Sequence, residues 1–546
     1  MNRRSRLVSA SLALVLAAGA SAQWNPNAGQ WGKSDPRDVR VMTWNVLDGI
    51  CRTNNKVEDL NNWAALARIV AAMKPDILLL QETGDNAGNG TGSGVDSTSQ
   101  LNTTLGYFFN GGNDSFKSNA PITSWVKKYA PTFDMPYVYV SFTTDGFNRN
   151  IVLSRFPFTD LTGDTFNAIS TWSSLPDLYA PGGTPGIRGF IFAEINLPDA
   201  DYAGNLVVGT AHLRSGGTAS DKQERLVASQ NIAYYIDYML NGGGTSTPDP
   251  RGMILDSPAA TLVPSATTPA IWGGDFNEDE NSNGRDGPAW WMTKAAVNGG
   301  TDGTDRDRTD ATFDDARDFF TNNRSTQSSS KLDYICWQDS IATLRRSFIF
   351  NSVNCNSTTT PPELVGYVGG FSLCTSFASD HRPVIADFIL PAAVTQPGPF
   401  NLLTPADNTV NTSLTTSLTW SPSSNATSYT VKVSLSPDLS SPIVNAGGLA
   451  GTSYVIGGGV LAECGQYYWG VTAVNTAGSR ASTPASFGFR TSFPADLTGD
   501  GFVNGDDYDL FASYFESGDL GADINGDTFV NGDDFDAFAS HFEAGC

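Results

Sequence analysis

The sequence predicts an α/β domain, then a β-sandwich, then a small helical unit built on calcium loops. Three observations carry this. Residues 39–82 read strand, helix, strand. After a linker rich in Pro and Ala, Pro397–Phe493 switches to short alternating strands separated by turn residues. In the last segment, a twelve-residue pattern of Asp, Asn and Gly recurs 27 residues after its first appearance.

Taken in order, residues 1–22 read as a secretory signal. Arg3, Arg4 and Arg6 give the charged start, Leu7–Ala18 the apolar run, and Ala20-Ser21-Ala22 the cleavage site. The expected location is secreted or associated with the cell surface, with no later transmembrane segment. Val39–Val46 alternates and is β-rich, so it is a strand with Asn45 near its end. Val57–Met73 has apolar residues three and four apart, predicting a helix that Pro75 stops. Asp76–Glu82 is apolar without alternation, as in a strand covered on both faces, and closes on Glu82.

Residues 83–118 and 278–330 read as long polar insertions. Between them, strands are predicted at Tyr137–Phe142, Asn150–Ser154, Arg188–Leu197 and Asn205–Leu213, the last holding His212. Ala219–Leu240 reads as a helix with an early Asp221 and an apolar face of Leu226, Ile232, Tyr235 and Leu240. Ile271–Asn277 is an apolar strand end followed by G-G-D-F-N. Its glycines permit a sharp turn and close approach of a ligand. Asp275 and Asn277 are two apart and share a side in extended chain. Lys331–Trp337 is a strand holding Asp333, and Asp380-His381 precedes the last strand, Val384–Leu390.

Six cysteines in an exported chain allow fifteen full pairings, and Cys336, Cys355 and Cys374 fall within one domain and offer a local bridge. Net charge is −23, unevenly spread. Residues 23–396 carry 40 acids against 27 bases, and 494–546 carry 13 acids with no Lys or Arg. No basic stripe is present to hold a nucleic acid by charge alone. A bound divalent cation would supply that charge instead.

The polar residues at the predicted strand ends of residues 23–396 are Asn45, Glu82, His212, Asp275, Asn277, Asp333, Asp380 and His381. Two of the chain's three histidines are among them. This set suits metal-assisted phosphoryl transfer. Glu82, with Asn45 and Asp380, offers hard oxygens to Mg²⁺ or Mn²⁺. His381 beside Asp380 reads as a base and its orienter, able to draw a proton from water. His212 and Asn277 would bind non-bridging phosphate oxygens, and Asp275 would position the attacking water.

In the β-sandwich, Trp420 and Tyr468 are the expected core anchors, and the pattern looks like a fibronectin type III-like domain. In the tail, oxygen ligands fall at Asp496, Thr498, Asp500, Asn504 and Asp507, and again at Asp523, Asn525, Asp527, Asn531 and Asp534. Each loop runs into an apolar helix pattern. The pair resembles a dockerin domain, which implies Ca²⁺ and a cohesin-like or cell-surface docking partner. Thr528 stands where the turn residue is normally Gly, so weaker Ca²⁺ binding is expected in the second loop.

The motifs T-W-N-V, L-L-L-Q-E, I-V-L-S-R-F-P, T-A-H-L, G-G-D-F-N, L-D-Y-I and S-D-H-R-P occur in the order found in the endonuclease/exonuclease/phosphatase superfamily, which the chain resembles over Val39–Leu390. The resemblance implies a four-layered α/β sandwich, two sheets packed face to face and flanked by helices. It also implies a divalent-metal site using Glu82 with Asn45 and Asp380. Asp275, Asn277, His212 and His381 would be catalytic, with Asp333 orienting His212 or supporting the site. The expected substrate is a phosphodiester, first of all extracellular nucleic acid. A sphingomyelinase-like lipid hydrolase and a surface scaffold with an idle enzyme fold are the alternatives. A lipid hydrolase would favour an exposed aromatic hairpin, and Trp290-Trp291 is an aromatic pair in the later insertion without a clear hairpin around it.

Overall fold

The computed structural model describes residues 24–50, 55–83, 96–141, 148–159, 169–172, 190–240, 264–293 and 311–545. The predicted signal segment, Cys546 and the stretch holding Arg306 and Arg308 lie outside them. The chain divides into two compact units, residues 1–393 and 394–546.

The first unit is mixed α/β. Its elements are β1 (Val39–Asn45), α1 (Asn62–Met73), β2 (Ile77–Gln81), α2 (Thr98–Asn110), β3 (Tyr137–Val140), β4 (Ile151–Ser154), β5 (Ile169–Trp172), β6 (Phe190–Ile195), β7 (Leu206–His212), α3 (Ala219–Leu240), β8 (Ala270–Asp275), α4 (Pro288–Thr293), β9 (Ala311–Phe313), β10 (Asp333–Gln338), β11 (Thr343–Ile349) and β12 (Val384–Ile389), besides shorter turns. Two six-stranded sheets form, in the orders β11-β12-β1-β2-β4-β3 and β9-β10-β8-β7-β6-β5. Each has one parallel pair near its middle, β1 with β2 and β7 with β8. Each pair is joined through a helix, as parallel strands require.

Three apolar clusters account for the layering. One lies between the sheets and draws on Val41, Leu79, Val208, Ile271, Ile335 and Ala386. A second joins the outer face of the first sheet to α1 and α2 through Trp44, Trp63, Leu80 and Phe108. The third joins the second sheet to α3 and α4 through Trp272, Tyr235, Ile232 and Met292. With both faces covered, every residue of β1 is buried, including Arg40. Its charge is met across the strand pair, where the guanidinium donates to both oxygens of Asp387 at 2.6 and 2.9 Å. Removing either partner would strand a buried charge, a loss of about 3–5 kcal/mol.

Several expectations change. The first helix starts at Asn62, not Val57, because the Asn61 side chain caps it by accepting from the Ala64 N–H. Val57 and Leu60 are exposed. The first insertion is not merely loop, since α2 lies in it, held by a capping box of Ser97 and Gln100. The second contains α4 and β9. In α3, Ala228 and Ile236 join Ile232 and Tyr235 in the core, while Leu226 is only half-buried. Cys336, Cys355 and Cys374 are free and buried, so the local bridge among them is not formed. Cys464 is disulfide-bonded.

The second unit holds a three-stranded and a six-stranded sheet. Trp420, Trp469, Val431 and Phe489 share their core. Tyr468 is only half-buried, and Tyr467 and Trp469 point inward instead, because successive strand residues face opposite ways. The tail folds as two helices, α5 (Gly505–Ser517) and α6 (Gly532–Ala544). Phe511 of α5 stacks on Phe538 of α6, with ring centroids 4.0 Å apart.

Candidate active site

Strand register builds the site. β7 pairs in parallel with β8 so that His212 lies opposite Asp275, and β8 pairs antiparallel with β10 so that Asp275 lies opposite Asp333. Three functional groups therefore stand in a row at one edge of one sheet. From the other sheet come Asn45, the last residue of β1, and Glu82, the first beyond β2. His381 arrives on the short segment before β12.

The glycines of G-G-D-F-N serve the sheet rather than a turn. Gly273 and Gly274 lie inside β8. A Cβ at Gly274 (φ +157°) would fall 1.8 Å from the Ala211 carbonyl oxygen, so no side chain fits there. The chain leaves the strand at Asp275, and Asn277 is left-handed at φ +57°. Asp275 and Asn277 therefore do not share a side in the way extended chain would place them. The Asp275 Oδ1 accepts from the Asn277 N–H at 2.9 Å, an Asx turn, and the Asn277 amide donates to the Leu213 carbonyl at 3.1 Å. Glu82 is left-handed too, at φ +54°. Such conformations cost of order 1–3 kcal/mol each and persist where the surroundings enforce them.

Asp275 is the hub. Its Oδ2 accepts from the Asn45 amide at 3.0 Å, and lies 3.5 Å from His212 Nε2 and 3.6 Å from His381 Nε2. Glu82 Oε1 is 3.7 Å from His212 Nε2. The Nδ1 of His381 pairs with Asp333 Oδ2 at 2.8 Å, and the other Asp333 oxygen is buried without a hydrogen bond. Burial pushes the Asp275 carboxyl up to about 7, with Asp333 adding to the rise and the His381 cation opposing it. At His381 burial works against the charged ring. The carboxylates of Asp333 and Asp275 outweigh it and raise the imidazole to about 10.

One expectation is corrected here. His381 is oriented by Asp333, not by Asp380. Asp380 is exposed and accepts from the Gln327 amide at 2.9 Å. The chain bends at Asp380, which carries its side chain out to Gln327 while His381 turns inward to Asp333. Of the two roles expected of Asp333, orienting His212 or supporting the site, its bond to His381 fits the second.

Ligand atoms of Glu82, His212 and Asp275 all lie within 4.8 Å of one another, as do those of Asp275, Asp333 and His381. The donor set fits a hard divalent cation, since it is mainly carboxylate with an orphaned, buried carboxylate oxygen beside it. Asn45 turns its amide N–H₂ toward Asp275 and its Oδ1 toward the Leu47 N–H, and Asp380 stays outside both groups.

Residues 42–381 match the profile of the Endonuclease/Exonuclease/phosphatase family. The chain belongs to that family. Its members hydrolyse phosphoester bonds and are generally dependent on divalent metals. Among solved structures, the endonuclease/exonuclease/phosphatase of Beutenbergia cavernae DSM 12333 is 17% identical, covering 82% of this chain and 99% of its own, with a TM-score of 0.35. Sphingomyelinase C of Streptomyces griseocarneus is 14% identical, covering 64% of this chain and 99% of its own, with a TM-score of 0.33. The human Nocturnin catalytic domain with bound sulfate anion is 12% identical, covering 65% and 95%, with a TM-score of 0.34. No curated protein matches the chain.

One buried contact near these strand ends had no counterpart in the sequence reading: Arg225 of α3 donates to Glu278 at 2.8 Å. Its place on the early turns of α3 gave no signal of its own.

Proposed function

We propose that the chain is a secreted, divalent-metal-dependent phosphodiesterase acting on extracellular nucleic acid. One observation carries the reading. Carboxylates and imidazoles from both sheets meet around Asp275, with His212, Asp275 and Asp333 in register across β7, β8 and β10.

Glu82, His212 and Asp275 would hold the cation, with Asn45 beside them. When bound, Mg²⁺ or Mn²⁺ would neutralise charge on a phosphate oxygen and on the leaving oxygen. The remaining steps belong to the protein. Asp275, held by the Asn45 amide and the Asn277 N–H, would align the attacking water and accept its proton. His381, held as imidazolium by Asp333, donates from Nε2 to a non-bridging phosphate oxygen. That reverses the role of base expected from its neighbour Asp380. The Asn277 side chain, tied to Leu213, fixes the wall that meets the phosphate. Asp380 stands at the exposed rim, where it would reach a substrate or a more outward cation.

The signal segment supports secretion. The paired loops support a Ca²⁺-bound dockerin-type tail that would tether the enzyme to a cohesin-like or cell-surface partner, behind a fibronectin type III-like spacer. In the second loop, Asp523, Asp527 and Asp534 already offer oxygens within 4.8 Å of one another. The aromatic pair favoured by a lipid hydrolase lies in α4, with Trp291 buried.

The test uses the mature chain with plasmid DNA, RNA, sphingomyelin and a chromogenic phosphodiester, with Mg²⁺ and with chelator. Chelator-sensitive cleavage of DNA or RNA is expected. Cleavage of sphingomyelin alone would replace the reading with the lipid one. No turnover of any substrate, with His381→Ala indistinguishable from the parent, would leave a scaffold with an idle fold.

A further inference from the structure

Two loops leave the strand ends that supply His212 and Asp275. The first, residues 213–218, links β7 to α3. The second begins at Asn277. Hydrogen bonds between Leu213 and Asp275 and between Asn277 and Leu213 tie the two together at their roots. Further out, one side chain reaches both. Arg225 is 4% exposed. Its Nη1 donates to the Arg214 carbonyl and to the Gly216 carbonyl, each at 2.9 Å, and its Nε donates to Glu278 Oε2 at 2.8 Å.

The local sequence aims it there. Thr218 and Asp221 form a reciprocal cap at the start of α3. Asp221 Oδ2 accepts from the Thr218 N–H and hydroxyl, and Thr218 Oγ1 accepts from the Asp221 N–H. Arg225 is one turn further on. Helical side chains lean toward the N-terminus, so its guanidinium lies over the loop that precedes the helix. A planar fork can serve two carbonyls and a carboxylate together, and an ammonium cannot match that geometry. Among the described contacts of this loop pair, no other cation spans both.

We propose that Arg225, acting through Glu278, is a positioning residue that sets the imidazole of His212 and the amide of Asn277 relative to Asp275. It touches neither substrate nor cation. Losing the clamp would leave the β7–β8 register intact, because backbone bonds make that register, and would loosen the two loops that start beside His212 and Asp275, so that the orientation of the His212 ring changes and the place of its main chain does not. Misplacement of a reacting group by about 1 Å costs on the order of 10²-fold in rate. The rate consequence rests on the phosphodiesterase reading, but the positional one does not.

The test is therefore double. In the full chain, labelled at histidine, three imidazole signals exist, from His212, His381 and His541. Arg225→Lys and Glu278→Gln are each expected to shift or broaden the His212 signal while leaving His541 in place. A His212 signal unchanged in both folded variants would overturn the proposal whatever the enzyme cleaves. With the chromogenic phosphodiester, each variant is expected to lose about 10–100-fold in kcat with KM within about 3-fold. The double variant should be no worse than the worse single one. Parent-like kcat in Arg225→Lys would also overturn it. A parent that cleaves no phosphodiester would instead refute the functional reading, and the histidine spectrum would still decide this one.

Discussion

The strand-end cluster of the first unit and the Asp-rich loops of the tail both gather carboxylates within ligand reach of one another. They do it on different scales of chain. The tail uses one twelve-residue loop at a time, from Asp496 to Asp507 and from Asp523 to Asp534. There, backbone N–H groups already occupy the acids. Asp496 accepts from the N–H groups of Gly499, Asp500 and Gly501, and Asp523 repeats the pattern with Gly526, Asp527 and Thr528. The strand-end cluster draws on Asn45, Glu82, His212, Asp275, Asp333 and His381, which span most of the first unit. Its acids are buried against one another, so protons must take up the charge. That is why Asp275 and His381 are both raised. Local spacing makes a site that can form as soon as its loop closes. Distant register makes one that exists only once both sheets are in place.

Five changes break or sharpen that contrast. The largest effects fall on the buried cluster. His381→Ala and Asp275→Asn should each lower kcat/KM of phosphodiester cleavage by about 10³–10⁴-fold, while Ca²⁺ binding by the tail, followed by calorimetry, stays unchanged. Asp333→Asn should come next, with a loss of about 10²–10³-fold and a changed pH profile. With its pKa raised from 6.5, His381 contributes stability that is complete below about 6.5 and lost as pH rises through about 10. Without the Asp333 carboxylate, the alkaline limb of kcat should move down from about 10 toward 6.5. A limb that stays put would show that another group sets it.

The tail changes are smaller and should leave kcat alone. Asp534→Asn should weaken Ca²⁺ binding at the second loop by at least about 10-fold, because it removes one of three converging carboxylates. Thr528 is β-branched and left-handed at φ +70°, where its counterpart Gly501 sits at +87° without strain. Thr528→Gly should stabilise the loop by about 1 kcal/mol and tighten its Ca²⁺ binding by about 5-fold. Equal Ca²⁺ affinity in the parent and the Thr528→Gly chain would show that the loop absorbs the strain elsewhere.

The same contrast explains what the sequence made legible. The α/β character, β1, β2, β7, β8 and the helices that follow β1 and β7 came from apolar runs and helical spacing, which are local signals. The tail repeats were legible as loops almost residue by residue, because the acids and the backbone N–H groups that close each loop are close in the chain. Asp275 and His212 were recognisable as strand-end groups, but their partners were not. Asp333 lies 48 residues before His381, and only the three-dimensional fold joins them. Reading the neighbour Asp380 as the orienter missed the bend that carries its side chain away from the His381 ring. Alternation decided against Tyr468 as a core anchor. Arg225 was invisible because its partners are two backbone carbonyls and a residue on a distant loop. A one-dimensional pattern shows no carbonyl's need for a donor.

The row His212, Asp275, Asp333 has a last consequence. Its pitch is the spacing between neighbouring strands, about 4.8 Å, fixed by hydrogen bonding of the main chain. The sheet therefore works as a ruler for main-chain positions, its divisions set by backbone hydrogen bonds rather than by the rings and carboxylates it carries. Gly274 marks the place where the ruler is thinnest, with β7 and β8 in direct backbone contact. A methyl group there would act as a wedge and change the gauge itself. New loops around it would present different molecules to the same phosphate-sized interval, while the interval stays constant.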